Sequence, residues 1–127
     1  MPTRTELSLR LPNSPGALAA VCRLLSDERV NINALSLDGG GQLRLIVDNH
    51  VLGAGVLRAR HHQVTERDVL VLSVANAPGG LAPVVKLVAD AGVNVDYAYG
   101  GASEGGPGAV VVLGVDNAQR AAAAAGA

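Results

Sequence analysis

Leu7-Ser8-Leu9-Arg10-Leu11-Pro12-Asn13-Ser14-Pro15-Gly16-Ala17-Leu18 returns later in the chain as Leu70-Val71-Leu72-Ser73-Val74-Ala75-Asn76-Ala77-Pro78-Gly79-Gly80-Leu81. The correspondence of Pro15 with Pro78 continues in register through Val21 and Val84, Leu24 and Leu87, Asp27 and Asp90, and Val30-Asn31 and Val93-Asn94. Further on, Leu45-Ile46-Val47-Asp48-Asn49 answers to Leu113-Gly114-Val115-Asp116-Asn117, now at a longer offset, so the second copy carries extra residues in the glycine-rich stretch between Gly101 and Gly108. One shared spacing with a single insertion in a loop marks a duplicated structural unit. The reading divides the chain into residues 1–67 and 68–127.

Each copy resolves into the same elements. Glu6 to Leu11 alternates polar and apolar residues, as a strand with one covered face does. Asn13-Ser14-Pro15-Gly16 breaks it, with Ser14 suited to cap a helix and Pro15 to its first position, where a missing N–H costs nothing. Leu18, Val21, Cys22, Leu24 and Leu25 form one helical stripe between Ala17 and Glu28. Asn31 to Leu37 reads as a second strand, Gly39-Gly40-Gly41 as a flexible hairpin connection, and Leu43 to Val47 as a third strand. Asp48-Asn49 can cap a helix from Leu52 to Arg60, and Gln63 to Arg67 reads as a short fourth strand.

The second copy repeats this with strands near Val69–Val74, Asn94–Tyr99 and Ala109–Val115, and helices near Gly80–Ala91 and Ala118–Ala125. It reaches the end of the sequence without a fourth strand. The expected class is α+β: two ferredoxin-like βαββαβ modules, antiparallel sheets with helices on one face, the second module lacking its last strand. The sheet edge beside Val69–Val74 then needs a cover, from the sister module or from another chain.

Composition narrows the function. Hydrophobic residues are 49% of the 127, yet aromatic residues are 2%, with no Trp or Phe, so the core is aliphatic. A unit of about 60 residues is marginal by itself and gains from a partner surface. The net charge is −1, and no basic run exists to track phosphates, which excludes nucleic acid as a partner. No segment approaches bilayer-spanning or signal-peptide length, so no membrane partner is expected and the expected location is cytoplasmic. Cys22, the one cysteine, sits in the helical stripe and reads as a small buried core residue. Tyr97 and Tyr99 share a strand face, either shaping a pocket or packing under a helix or at a subunit interface.

At the level of motif, Asn-x-Pro-Gly-x-Leu after a strand, then a helix, then Val-Asn-Ile or Val-Asn-Val opening the next strand, resembles the ACT domain. Both copies match, so the resemblance spans nearly the whole chain. It is similar to short bacterial proteins made of two ACT domains. The resemblance implies a ligand, an amino acid or related metabolite, held where two domains meet, between the first strand-to-helix loop and the start of the second strand. Carried onto this sequence, it implies Asn13, Ser14, Gly16, Ala17 and Leu18 with Asn31 and Ile32 in the first copy. In the second it implies Asn76, Ala77, Gly79, Gly80 and Leu81 with Asn94 and Val95. Asn amides both donate and accept, helix N-termini favour anions, and glycine admits close approach. Asn13 and Asn76 serve equally as turn caps. The family's charged or polar residue before the Asn is replaced here by Leu11-Pro12 and Val74-Ala75, which favours a ligand recognised through backbone groups.

No catalytic constellation assembles. His61-His62 lies at a helix end, where adjacent side chains diverge by about 100°, and His50 is distant in sequence. These histidines do not recur in the second copy, which makes a metal enzyme the weakest reading. Glu66-Arg67-Asp68 reads as a solvated linker, and the glycine loops lack the Lys-Ser/Thr ending of a phosphate loop. The expectation is therefore a non-catalytic sensor with no metal or cofactor, acting as a homodimer and passing its signal to a metabolic enzyme. The alternative is a regulatory subunit that binds such an enzyme with no metabolite.

Overall fold

The computed structural model describes residues 3–126. Its elements run β1 (Thr3–Arg10), α1 (Ala17–Asp27), β2 (Ile32–Leu37), β3 (Gln42–Val47), α2 (His50–Ala59), β4 (Thr65–Ala75), α3 (Ala82–Asp90), β5 (Val95–Gly101), β6 (Gly108–Val115) and α4 (Ala118–Ala124). They divide into two compact units, one of Thr5–Arg67 and one of the residues from Asp68 onward together with the start of β1 through Arg4. Each unit has the strand order expected of a ferredoxin-like module: β2-β3-β1 in the first and β5-β6-β4 in the second, all pairs antiparallel. The second unit shows no fourth strand among the described residues.

The two cores repeat along their strands. In the first, Leu7 and Leu9 of β1 and Leu43, Leu45 and Val47 of β3 face Val21 and Leu25 of α1 and Ala54 and Leu57 of α2. In the second, Leu70, Leu72, Val111, Leu113 and Val115 face Val88, Ala118 and Ala121. Alternation along each strand sends these side chains to the helix side and their neighbours to the other. The helices following the third strands differ. Where α2 buries Leu57 completely, α4 offers only alanines, so α4 is held by much less apolar area.

Both of these helices are capped as their Asn residues suggest. The Asn49 side chain accepts from Leu52 N–H at 3.1 Å and that of Asn117 from Arg120 N–H at 3.0 Å. The other ends share a device that the sequence concealed. Arg29 and His61 both take positive φ, at 58° and 70°. Val30 N–H reaches Leu25 O and His62 N–H reaches Leu57 O, the six-to-one bond of a Schellman ending. The second copy uses Gly92, at φ 74°, for the place that Arg29 fills in the first.

Three local expectations are corrected. Glu66-Arg67-Asp68 is no linker: it lies inside β4, an eleven-residue strand that absorbs both the expected fourth strand and the one after it. The Arg58 guanidinium fastens its start, donating to Val64 O at 2.9 Å and Glu66 Oε2 at 3.1 Å. The Gly39-Gly40-Gly41 hairpin is closed by hydrogen bonds, since Asp38 Oδ1 accepts from Gly40 and Gln42 N–H and Arg10 donates to Gly40 O. Cys22 is half-buried, outside the core cluster, because its place in the stripe falls at the rim of the helix–sheet contact.

A non-glycine residue in the left-handed region carries a steric cost that glycine does not. Arg29→Gly and His61→Gly are each expected to raise the unfolding free energy by roughly 0.5–1 kcal/mol. Urea denaturation followed by circular dichroism checks this, and an unchanged or lowered midpoint in both variants would contradict it.

Candidate ligand site

The two Pro-Gly turns share one conformation at their glycine. Gly16 and Gly79 sit at φ 86° and φ 81°, a region open to glycine, and both turns leave a strand and lead toward a helix. Ser14 does not cap α1 with its side chain. Gly16 holds the N-cap place, and Ser14 contributes its carbonyl, which accepts from Ala17 N–H at 3.3 Å. The left-handed glycine turns the chain so sharply that α1 begins after it, not at Pro15. In the second module Gly80 N–H donates to Ala77 O, and the helix starts later than expected, at Ala82, with Pro83 in its first turn.

Strand direction sorts the remaining expected residues. In each module the second strand is antiparallel to the third, and the third to the first, so the first two run parallel. The end of the second strand therefore lies beside the Pro-Gly turn, and its start lies at the other end of the module. Six residues of β2 span roughly 20 Å. Asn31 and Ile32 accordingly join Cys22, Ser26 and Arg29 around a separate cleft. Both starts are built alike: Asn31 N–H donates to Asp48 Oδ1 and Asp48 N–H to Asn31 O, and Asn94 and Asp116 repeat both bonds. The Asn94 amide also donates to Asp96 Oδ1 at 2.8 Å. Ile32 and Val95 pack against the two cores.

At the turns themselves, the structure gathers the other expected residues into concavities of unequal size. In the first module Asn13, Ser14, Gly16, Ala17 and Leu18 meet Leu37, Asp38 and Gly41 around a space of only 130 Å³. In the second, Asn76, Ala77 and Leu81 border a cavity of 620 Å³, while Gly79 and Gly80 shape the turn outside its lining. The rest of that lining comes from Val74, Ala75, Pro78, the end of β5 from Ala98 to Ala102, and Ala109 and Val111 of β6. Sequence reasoning missed the end of β5. The signal available was the pair of small residues Ala98 and Gly100 where the first copy has Leu35 and Leu37.

Asn76 neither caps its turn nor lies free. Its amide Nδ2 donates to Gly106 O at 2.8 Å and Ser103 O at 3.4 Å, and its backbone N–H donates to Pro107 O. It ties the inserted loop between β5 and β6 to the Pro-Gly turn, beside the cavity.

Tyr97 and Tyr99 stack, with ring centroids 6.4 Å apart and planes 12° from parallel. They do not pack under a helix. Tyr97 pairs with Gly114, whose neighbours Leu113 and Val115 point into the core, so both rings belong to the opposite sheet face. A Cβ at Gly114 would collide with the Tyr97 ring. Tyr99 also contributes to the cavity lining. Among the described residues, no group of three or more His, Cys, Asp or Glu is placed to hold a metal ion, and no helix is long and apolar enough to cross a membrane.

A family model described as an ACT domain pair matches residues 2–125. The chain belongs to that family. Among solved structures, a protein of Bacteroides thetaiotaomicron superposes with a TM-score of 0.88 at 30% identity, over 97% of this chain and 86% of the other. The ligand-free regulatory subunit of aspartate kinase from Thermus thermophilus superposes with a TM-score of 0.70 at 20% identity, covering 96% and 88%. That from Thermus flavus gives 0.66 at 16% identity, covering 99% and 95%. At these identities the two Thermus proteins share the fold with this chain. No curated protein matches it.

Within this ACT pair, then, the two Pro-Gly turns share their left-handed glycine and are unequal in helix start and in the space beside them. Removing the Asn76 amide deletes the side-chain tie on the inserted loop. In Asn76→Ala, backbone amides between Ala102 and Gly108 are expected to exchange with solvent about tenfold faster or more, while amides in the first module keep their rates. Hydrogen–deuterium exchange measures this, and unchanged loop rates would rule out the clamp.

Proposed function

We propose that this ACT pair is a non-catalytic regulatory protein that senses an amino acid or a related small metabolite and relays its occupancy to an enzyme partner in the cytoplasm, acting as a homodimer. The observation that carries the reading is the 620 Å³ cavity beside the second Pro-Gly turn. Its volume falls within the span of small-molecule sites, about 300–1,000 Å³. It is formed by the turn that the family resemblance associates with ligands, and it adjoins a loop tied to that turn through Asn76, by its side chain and its backbone N–H. Such a loop can respond to occupancy, within the limit set by the ligand's different affinities for the two states.

Asn13, Ser14, Gly16, Ala17 and Leu18 are proposed as the first module's counterpart contacts, and Asn76, Ala77, Gly79, Gly80 and Leu81 as the second's. Asn31, Ile32, Asn94 and Val95 lie at the far ends of their own modules. They join a ligand site only if a second chain brings them to a turn. A second reading, a subunit that docks on an enzyme without a metabolite, draws support from α2, where Val51 is 72% exposed and Leu52 is 41% exposed.

A thermal-shift screen against the twenty common amino acids tests the choice. Sensing predicts a rise in melting temperature that grows with ligand concentration, corresponding to about 2.7 kcal/mol of stabilisation at one hundred times Kd. Unmoved melting curves with all twenty would transfer the case to the docking subunit.

A further inference from the structure

We propose that ligand binding is confined to the second module and that its ligand is an amino acid with an uncharged apolar side chain, because Ala98 and Gly100 leave open a space that Leu35 and Leu37 close in the first. This rests on the sensing function proposed above and narrows it to one site and one chemical class.

The duplication supplies an internal control. Leu35 pairs with Leu45 in the first sheet, and Ala98 with Leu113 in the second. Leu37 pairs with Leu43, and Gly100 with Val111. Leu43, Leu45, Val111 and Leu113 are all core residues, so the four positions lie on the helix-facing side of their sheets, beside the Pro-Gly turns. In the first module, two leucine side chains stand there, and Leu37 borders the 130 Å³ concavity. In the second the corresponding isobutyl groups are missing, and Ala98 and Gly100 both line the 620 Å³ cavity. The two turns share the left-handed glycine but not the backbone after it, since α3 starts later than α1, so the larger volume accompanies that later start, the smaller side chains at the end of the second strand and the inserted loop beyond them. Of the two spaces at the turns, the smaller lies below the range of small-molecule sites and the larger inside it, while the first module's 700 Å³ cleft lies away from its turn, between α1 and α2.

The lining decides the class of ligand. None of its residues is charged, and Asn76 is the polar side chain on the helix-facing side, since the Tyr99 ring lies on the other face of the sheet. The Asn76 amide donates to the inserted loop. A charged side chain entering this space would lose its hydration with no counter-charge, a cost of several kcal/mol that an apolar side chain avoids. Polar recognition is left to the main chain at the turn. Ala77 and Leu81 border the cavity, and among the described residues neither N–H donates to a backbone acceptor. Those amides suit the α-carboxylate of an amino acid whose side chain points inward.

The test is a titration of the full-length ¹⁵N-labelled chain with L-leucine, L-phenylalanine, L-lysine and L-aspartate, followed by amide chemical shifts. The expected result is that leucine or phenylalanine shifts Ala77 to Leu81 and Ala98 to Ala102, leaving Ser14 to Leu18 and Leu35 to Gly41 unmoved. Lysine and aspartate should bind about tenfold more weakly or not at all. Ala98→Leu restores the first module's residue at an exposed position and should weaken binding about tenfold or more, with Ala98→Val intermediate. Gly100 is left intact, because a Cβ there would strike the Val110 carbonyl. Shifts at the first module's turn, tighter binding of lysine or aspartate, or undiminished affinity in a folded Ala98→Leu protein would overturn this proposal and leave the sensing function standing. If none of the four moves any amide, this proposal is overturned, and the thermal-shift screen decides the sensing function separately. The wild-type shift map decides the location even if a variant fails to fold.

Discussion

Helix-facing aliphatic side chains on three short strands, pressed against two helices, are what each module depends on. With no Trp or Phe in the chain, no large ring anchors either core, and the layers are held by many small contacts among Leu, Val, Ile and Ala. Such a core demands register. A slip of one residue on β1 would turn Leu7 and Leu9 away from the helices and bring Ser8 and Arg10 in. Between the second strand and the end of the third, register is held by two bonds, from the Asn31 N–H to the Asp48 carboxylate and from the Asp48 N–H to the Asn31 carbonyl, repeated by Asn94 and Asp116. They recur in both copies together with the valines that precede these residues. A bulge accompanies each: the pairing shifts between Ile32 and Ala34 and again between Val95 and Tyr97. It keeps Ile32 and Val95 in the core while setting Tyr97 and Tyr99 on the sheet face away from the helices.

Against this shared frame the modules have drifted in opposite directions. The first keeps the bulkier side chains: Leu57 is fully buried in α2, Leu35 and Leu37 stand half-exposed at the end of the sheet, and Asp38 closes a tight hairpin. The second has lost bulk at the equivalent places, with Ala125 for Leu57, Ala98 for Leu35 and Gly100 for Leu37. It has gained an inserted loop and the Asn76 clamp that holds it. Bulk absent beside the second turn is bulk that a bound molecule can supply, and the space there is the larger of the two at the turns. This is the usual relation between a site and its scaffold: one copy keeps close packing, and the other trades some of it for space.

Much of the fold was legible in the chain. The repeat, the order of elements, the Asn caps at Asn49 and Asn117 and the aliphatic cores all follow from local pattern, because alternation, helical stripes and capping chemistry act within a few residues. The errors lie where a distant partner overrides the local signal. Glu66-Arg67-Asp68 resembles a linker by charge, yet Arg58 draws Glu66 into a continuous strand. Ser14 is a good capping residue by type, but Gly16 takes up the left-handed conformation that moves the helix start past it. Asn76 looked like a cap or a ligand contact because the inserted loop, about thirty residues on, was not visible as its acceptor. Arg29 and His61 gave no hint of left-handed helix endings, which composition alone assigns to glycine or asparagine.

By itself the sequence determined the duplication, the α+β class of each half and the aliphatic character of the cores, since these depend on periodicity and on residue types a few positions apart. Only the tertiary structure decided which of the expected contact residues can stand together. Parallel running of the first two strands parts Asn31 and Asn94 from their own turns by the length of a strand, and no local pattern reveals that direction. It also decided that the two turns are unequal. The cavity beside Asn76 depends on what Ala98 and Gly100 fail to fill, and a missing volume becomes apparent only when the chain around it has closed.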